Sequence, residues 1–263
     1  MPFFAIPSYK RHSCFILKTL PLLLRLQVQT NMIYIFIVED ESLLYKEALK
    51  IYKDINIITG PLGLHNMRNF IQNYFPESSY ILHFDDDIDD LLIMTEDTTI
   101  LDKKSSKRYP LFSITIELFN KFITNAYNEM IKNQSKLFGI YPVKNGYFMK
   151  DLPEITTDLR FCVGAVWGCI NEHSQDLQLE LEEKEDFERT LRYYTKYGKV
   201  IRFNRIVPKT SYYKTLGGMQ SRPDNRMESS KISCQYLLNH FPNLCKLYTS
   251  KKSGIYEVRL INR

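Results

Sequence analysis

The chain has 263 residues, 44% of them apolar and 25% charged, which suits one large α/β domain or two small ones and argues against global disorder. A formal net charge of +5 permits contact with phosphates or nucleic acid without demanding it. Cys14, Cys162, Cys169, Cys234 and Cys245 are odd in number, form no C-x-x-C pair and sit mostly in apolar surroundings, which disfavours a disulfide framework or a zinc site and points to reduced thiols in an intracellular protein.

Taken in chain order, residues 3–6 read as a short apolar strand running into Pro7, Ser8, Tyr9, Lys10 and Arg11. A helix is expected over 13–27, with Ser13 as its N-cap. Its apolar part, 14–26, is broken by Lys18, Pro21 and Arg25 and has no small-residue cleavage site. It is too short and too charged to span a bilayer, so a soluble, cytoplasmic, non-secreted protein with no membrane partner is expected. Residues 32–38 form a β-rich run ending in Glu39-Asp40-Glu41, and 42–52 are helical in pattern. Residues 55–59 give a third strand, Gly60-Pro61-Leu62-Gly63 a turn, 65–74 a helix and 80–84 a fourth strand. This alternation predicts a mostly parallel, doubly wound sheet flanked by helices. Parallel strands put their C-terminal ends at one edge, so Ser8 to Arg11, Glu39-Asp40 and Asp85-Asp86-Asp87 should converge.

Residues 95–109 are polar and read as a loop, and 114–132 have helical periodicity. Strands are expected at 137–140 and 160–170. The second is rich in small residues around Gly164 and Gly168, which mark close approach of a backbone or ligand. A helix over 180–197 ends at Gly198, a strand follows at 199–207, and the tail from 229 adds a helix and a strand near 254–261. There is no internal repeat and no clear linker. The expected organisation is one packed domain, with 1–110 as a half ending in the acidic triplet and 111–263 as a mixed α/β half with a C-terminal extension.

The triplet carries the strongest chemical signal. Adjacent like charges repel, and burying them unpaired costs several kcal/mol each, on the order of the penalties for buried ions. Either Asp85, Asp86 and Asp87 form a solvated turn, or a hard divalent cation sits among them and shares its open positions with substrate phosphates. The apolar lead-in Ile81-Leu82 and Phe84 fixes the acids at a strand end, while His83 reads as a packed core residue. A second acid cluster, Glu185 and Asp186, lies on a helix. Asp186 could pair locally with Arg189 at i+3, or could take a proton from an acceptor hydroxyl. The turn before Arg68 resembles a phosphate-binding helix start, a weak motif on its own. Between Lys196 and Arg226 eight cations, Lys214 among them, face the single acid Asp224, with Tyr212, Tyr213 and a Leu216–Gln220 glycine loop. That region could clamp a diphosphate, contact a nucleic-acid backbone, or be a solvated basic face.

The ordered set of Pro-Ser-Tyr-Lys-Arg after a strand, Val38-Glu39-Asp40, the Gly-x-x-Gly-x-x-Asn-x-Arg-Asn helix start and Asp85-Asp86-Asp87 resembles the GT-A class of nucleotide-sugar glycosyltransferases. Gly164 to Gly168 and Glu185-Asp186 look like that class's acceptor-side glycines and its "xED" base motif. The likeness spans roughly residues 3–216. The Ile6 to Arg11 start and the form His83 to Ile88 look most like the TET/JBP-associated glycosyltransferases of phages and large DNA viruses. The resemblance implies a GT-A-like (Rossmann-like) α/β fold and a hexosyltransferase using Mn²⁺ or Mg²⁺ and a UDP-sugar, with UDP-glucose as one donor. The acceptor it implies is a hydroxymethylated pyrimidine in DNA, in a host cytoplasm or virus-associated setting. It implies metal ligation by Asp85 and Asp87, and nucleotide or sugar contacts from Pro7, Ser8, Tyr9, Arg11, Asp40, Arg68 and Asp86. Lys214 falls on the basic loop that would close over the diphosphate. Asp186, with Glu185, would supply the base if the reaction inverts the anomeric centre. One departure stands out: no His lies between His173 and His240, so a further metal ligand is His240, water or another group. The alternatives are a GT-A enzyme acting on a protein, lipid or glycan, and a non-catalytic nucleic-acid-binding protein built on the basic region.

Overall fold

Ten elements build the first half of the structure, a computed structural model that describes residues 1–95, 109–210, 226–249 and 256–261. They are β1 (Phe3–Pro7), α1 (His12–Cys14), α2 (Leu20–Arg25), β2 (Ile33–Ile37), α3 (Ser42–Ala48), β3 (Asn56–Thr59), α4 (Leu64–Tyr74), β4 (Tyr80–Phe84), β5 (Ile88–Met94) and β6 (Leu111–Ser113). The second half adds α5 (Ile116–Lys132), β7 (Leu137–Ile140), β8 (Ile155–Thr156), β9 (Val166–Ile170), α6 (Glu185–Tyr197), β10 (Ile201–Phe203) and β11 (Ile206–Thr210). The tail contributes α7 (Arg226–His240), β12 (Cys245–Thr249) and β13 (Tyr256–Leu260).

An eight-stranded sheet runs in the order β3-β2-β1-β4-β9-β7-β10-β8. The first four strands are mutually parallel, with Pro7 beside Phe36 and Ala5 beside His83. Their C-terminal ends share one edge, as expected for a doubly wound sheet. β9 is antiparallel to both β4 and β7. It therefore begins where β4 ends, and the bond from the Asp85 amide to the Ala165 carbonyl (2.8 Å) extends that pairing to the acids.

Strand alternation divides the core. Phe4, Ile6, Leu82 and Phe84 face a layer that includes Leu22 and Leu23 of α2 and Phe119 and Phe122 of α5. Ala5, Phe36 and Ile81 face the opposite layer, with Met67 and Ile71 of α4 and Tyr193 of α6. A third cluster packs α7, β12 and β13 against Leu191 of α6 and Leu181. No described helix is long and apolar enough to cross a membrane, and all five cysteines are free thiols.

Four sequence expectations are corrected. The 13–27 helix contains a π-helical turn, Phe15–Thr19, and its N-cap is Arg11 rather than Ser13. Pro21 accounts for the turn, because it has no N–H for the Leu17 carbonyl and its ring crowds that group. The expected strand 160–170 is reduced to β9. The backbone of 162–164 bonds instead to α6: Cys162 N–H to Thr190 Oγ1 (3.2 Å), Gly164 N–H to Asp186 (3.2 Å), and the Cys162 carbonyl to Arg189 (3.0 Å). The helix expected over 180–197 begins only at Glu185. The strand expected over 199–207 divides into β10, in the large sheet, and β11, in a second sheet ordered β11-β5-β6.

Gly168 sits where β9 passes beneath Phe138. A Cβ there would land on the Phe138 ring and within 2.8 Å of Leu82 Cδ2. Gly168→Ala should therefore cost about 1–3 kcal/mol through overpacking. Denaturant unfolding checks this: the midpoint should fall with an unchanged slope.

Candidate active site

The acidic triplet occupies the turn where the chain leaves the eight-stranded sheet at Phe84 and enters the second sheet at Ile88. Thr19, in the π-helical turn, clamps both sides of it. Its hydroxyl donates to the Asp85 carbonyl (2.8 Å) and accepts from the Ile88 amide (3.0 Å).

The three carboxylates face different partners. Asp86 is buried. It accepts a short hydrogen bond from Ser8, whose hydroxyl in turn accepts from Tyr45 (2.6 Å), and Arg11 lies 3.6 Å away. Each hydroxyl has one proton, so the chain runs Tyr45 to Ser8 to Asp86. Asp87 takes Arg11 (3.4 Å) on one oxygen and the Thr210 hydroxyl (3.0 Å) on the other. Asp85 binds Arg68 at 2.9 Å, and its side chain, 38% accessible, is the most open of the three. The protein packed around Asp85 pushes it up to about 6 against the pull of Arg68. Burial likewise pushes Asp86 up to about 7 despite Ser8 and Arg11.

The loop after β1 is held in place around these acids. The Ser8 amide bonds the Phe36 carbonyl (2.9 Å), the Lys10 amide bonds Glu41 (2.8 Å), and Lys10 has a left-handed φ of 55°. Pro7 is buried at the strand end, Tyr9 is half-buried with the Lys10 ammonium 5.1 Å over its ring, and Asp40 is exposed. Arg68 is 3% exposed and spends its guanidinium on Asp85, the Gly164 carbonyl (3.3 Å) and His83 Nδ1 (3.2 Å). It serves the acids from beneath, where the sequence pointed to nucleotide or phosphate contacts. Burial and the two neighbouring arginines hold His83 well below the usual imidazole range, so it is neutral. It stacks on Trp167 at 3.8 Å.

Helix α6 brings the second acid pair to the same place. Arg189 pairs with Glu185 at i+4 (2.7 Å), not with Asp186 at i+3, and Glu185 is buried. Asp186 is left to accept from the Gly164 amide (3.2 Å) and the Phe187 amide (3.0 Å). Burial, and then Glu185, push Asp186 up to about 6. Gly164 is the joint between the clusters: its carbonyl takes the arginine that holds Asp85, and its amide takes Asp186. A Cβ on it would come within 3.1 Å of Glu185 Oε1.

The helix start before Arg68 is not open to phosphate. Glu182 fills it, accepting from the Leu64 amide (2.8 Å) and meeting His65 Nδ1 (2.7 Å). Part of the basic stretch is spent on contacts within the protein, while Lys196 and Lys199 are exposed. Lys196 pairs with Glu172 (2.7 Å), Arg202 is buried against Asn204 (2.7 Å), and Arg205 donates to the carbonyls of Met149 (2.7 Å) and Leu152 (3.1 Å). Lys209 is exposed, and Lys214 with the rest of the loop lies outside the described residues. Thr19, Glu41 and Tyr45 escaped sequence reasoning as site members, since only tertiary contact brings them there.

No three His, Cys, Asp or Glu side chains stand together as a cation cage among the described residues. A Mg²⁺ or Mn²⁺ ion that shares its shell with substrate phosphates and water needs only one or two carboxylates. Asp85 and Asp87 offer such a set of hard oxygens, two residues apart on one turn. The residues fit the group. His240 does not join them: its Nδ1 lies 2.9 Å from the Tyr236 carbonyl, and its ring stacks on Tyr236.

No protein-family model and no curated protein matches the chain. Among solved structures it is similar to residues 1–349 of TarS from S. aureus, with a TM-score of 0.50 and 14% identity over 91% of this chain. It spans 66% of that structure's length. It also matches 4-diphosphocytidyl-2C-methyl-D-erythritolsynthase from Anaerococcus prevotii at 12% identity, covering 90% of this chain and 96% of that one, with a TM-score of 0.42. The likeness is one of fold, and the fold is GT-A-like.

Asp86 keeps its proton to about pH 7 when folded but only to about pH 4 when unfolded. Between those values the folded state binds more protons, so this group's contribution to stability falls as pH rises and levels off above about pH 7. Asp86→Asn removes the dependence and keeps an acceptor for Ser8. Calorimetry at pH 5 and pH 8 should show the variant's Tm gaining on the wild type at the higher pH. A pH-independent gap would contradict the assigned burial.

Proposed function

We propose that the chain is a metal-dependent glycosyltransferase that moves a hexose from a UDP-sugar to an acceptor hydroxyl. The observation that carries the reading is the meeting of Asp85 and Asp186 at Gly164, which sets the accessible carboxylate of the acid turn beside a second carboxylate. The GT-A-like fold shared with TarS, a glycosyltransferase, supports it. On this reading residues 1–110 bind the nucleotide-sugar and 111–263 bind the acceptor.

Asp85 and Asp87 would hold Mn²⁺ or Mg²⁺, which would supply positive charge to neutralise the leaving diphosphate. Arg68 fixes Asp85 from below. Asp86, through Ser8, fixes the loop from Ser8 to Arg11 that approaches the nucleotide with Pro7, Tyr9 and Asp40. Arg11 places a guanidinium beside the same acids, where the diphosphate needs one. Asp186 takes the acceptor proton in an inverting reaction. A value near 6 leaves it ionised at neutral pH while keeping it more basic than an ordinary aspartate. Glu185 keeps Arg189 in place.

We place UDP-glucose first among donors and a hydroxymethylated pyrimidine in DNA first among acceptors, as in the TET/JBP-associated enzymes. A non-catalytic nucleic-acid-binding role is the weaker reading, because Arg202 and Arg205 are engaged internally, Lys196 is paired with Glu172, and an acidic turn repels a phosphate backbone.

A screen of UDP release tests this, pairing UDP-sugars and Mn²⁺ with hydroxymethylated DNA, unmodified DNA and simple glycosides. Release should need both donor and acceptor. Asp85→Ala and Asp87→Ala should each lower it by about 10²-fold or more, with circular dichroism unchanged, and Asp186→Asn by about 10²–10⁴-fold. Full turnover in both metal-ligand variants would sink the reading. Release with glycosides alone would keep sugar transfer and remove the DNA acceptor.

A further inference from the structure

Helix α6 starts at a residue that goes against two local preferences. Lys184, its N-cap, has a left-handed φ of 63° and gives the helix no side-chain hydrogen bond. For a residue with a Cβ that conformation costs roughly 1–2 kcal/mol, and a lysine charge at a helix N-terminus opposes the dipole. Gly, Ser or Asp would open the helix at less cost, so Lys184 is explained by what its side chain reaches. Its Nζ donates to Glu257 Oε2 of β13 at 2.8 Å, and the lysine side chain is only 11% accessible. The residues before it are tied down as well. The Glu180 and Leu181 amides bond the buried Glu188 (3.0 and 2.8 Å), and Glu182 caps α4 at the Leu64 amide (2.8 Å).

We infer that Lys184 and Glu257 are positioning residues, through which α7, β12 and β13 hold the start of α6 and with it the Asp186 carboxylate against the Gly164 amide. Two faces of α6 make the connection. Phe187, Leu191 and Tyr194, one stripe at helical spacing, pack into the cluster built by α7, β12 and β13, and Arg192 bonds the Tyr236 hydroxyl (2.9 Å). Asp186 and Thr190, on another face, take the amides of Gly164 and Cys162 (3.2 Å each). The Lys184–Glu257 pair extends the first contact to the turn from which Asp186 projects two residues later. β13 is itself anchored, since the Ser230 hydroxyl of α7 bonds the Tyr256 carbonyl (2.7 Å). Partly exposed ion pairs add only about 0–1 kcal/mol of stability, so the consequence of this one is placement. The inference rests on Asp186 as the acceptor-side base of the proposed reaction.

Val163-Gly164 is the only Val-Gly step in the chain, so labelling with ¹³C-carbonyl valine and ¹⁵N-glycine gives one amide cross-peak, which reports the bond to Asp186. Glu257→Gln removes the charge at constant size. Lys184→Gly removes the side chain but suits the left-handed backbone, so it separates the ion pair from the turn. In both full-length variants the Gly164 amide should exchange about tenfold faster or more, while the Gly168 amide of β9 keeps its rate. The double variant Lys184→Glu/Glu257→Lys should recover the wild-type Gly164 rate. In the UDP-release assay both single variants should lose about 10–10²-fold in turnover, with the KM for the UDP-sugar unchanged. A wild-type Gly164 rate in both single variants, or in Lys184→Gly alone, would overturn the inference. A wild type that transfers no sugar would instead remove the proposed reaction and leave the exchange rates to decide whether the pair holds Asp186.

Discussion

Three consecutive carboxylates at the end of a buried strand are the constraint around which this molecule is arranged. Burial makes their charge costly, and the chain answers with two arginines from opposite sides. Arg68 reaches Asp85 from α4, and Arg11 stands 3.4–3.6 Å from Asp87 and Asp86 in the loop after β1. Burial outweighs the pull of those two cations, which is why Asp85 and Asp86 are raised. A buried carboxylate paired this way contributes little net stability, but removing one partner would strand the other.

The same arrangement makes the turn a junction. Phe84 ends a strand of the large sheet, and Ile88 begins one of the second sheet. Thr19 clamps the passage, Tyr45 and Ser8 hold Asp86, and Thr210 of β11 closes on Asp87. Because β9 runs antiparallel to β4, its entry at Gly164 lies beside Asp85 and meets the N-terminus of α6. Strand direction alone therefore brings an acid from residue 85 next to one from residue 186.

Much of this was legible in the sequence. The apolar runs at β1, β2 and β4 are continuous because both faces of those strands are covered, and the polar residues following them mark a single sheet edge. The acid clusters were visible for the same reason, since charge following an apolar run is a local signal. What escaped was set by distant partners. Glu182 caps a helix that begins 118 residues before it in the chain, so the turn before Arg68 reads as an anion site when its anion is already supplied. The cations from Lys196 to Arg205 read as a surface, yet Arg205 bonds carbonyls of another segment, Lys196 pairs with Glu172, and Arg202 is buried against Asn204 two residues on. Arg189 was read against Asp186 at i+3, but the buried Glu185 at i+4 takes it.

The central claim is that the acid turn binds a nucleoside diphosphate through a divalent cation. Calorimetric titration of UDP with and without Mn²⁺ tests it most directly. The account predicts that UDP binds at least about tenfold more tightly with Mn²⁺, a gain of roughly 1.4 kcal/mol, and that Asp85→Ala abolishes the gain. UDP affinity that is the same with and without metal, or a metal effect that survives Asp85→Ala, would contradict it.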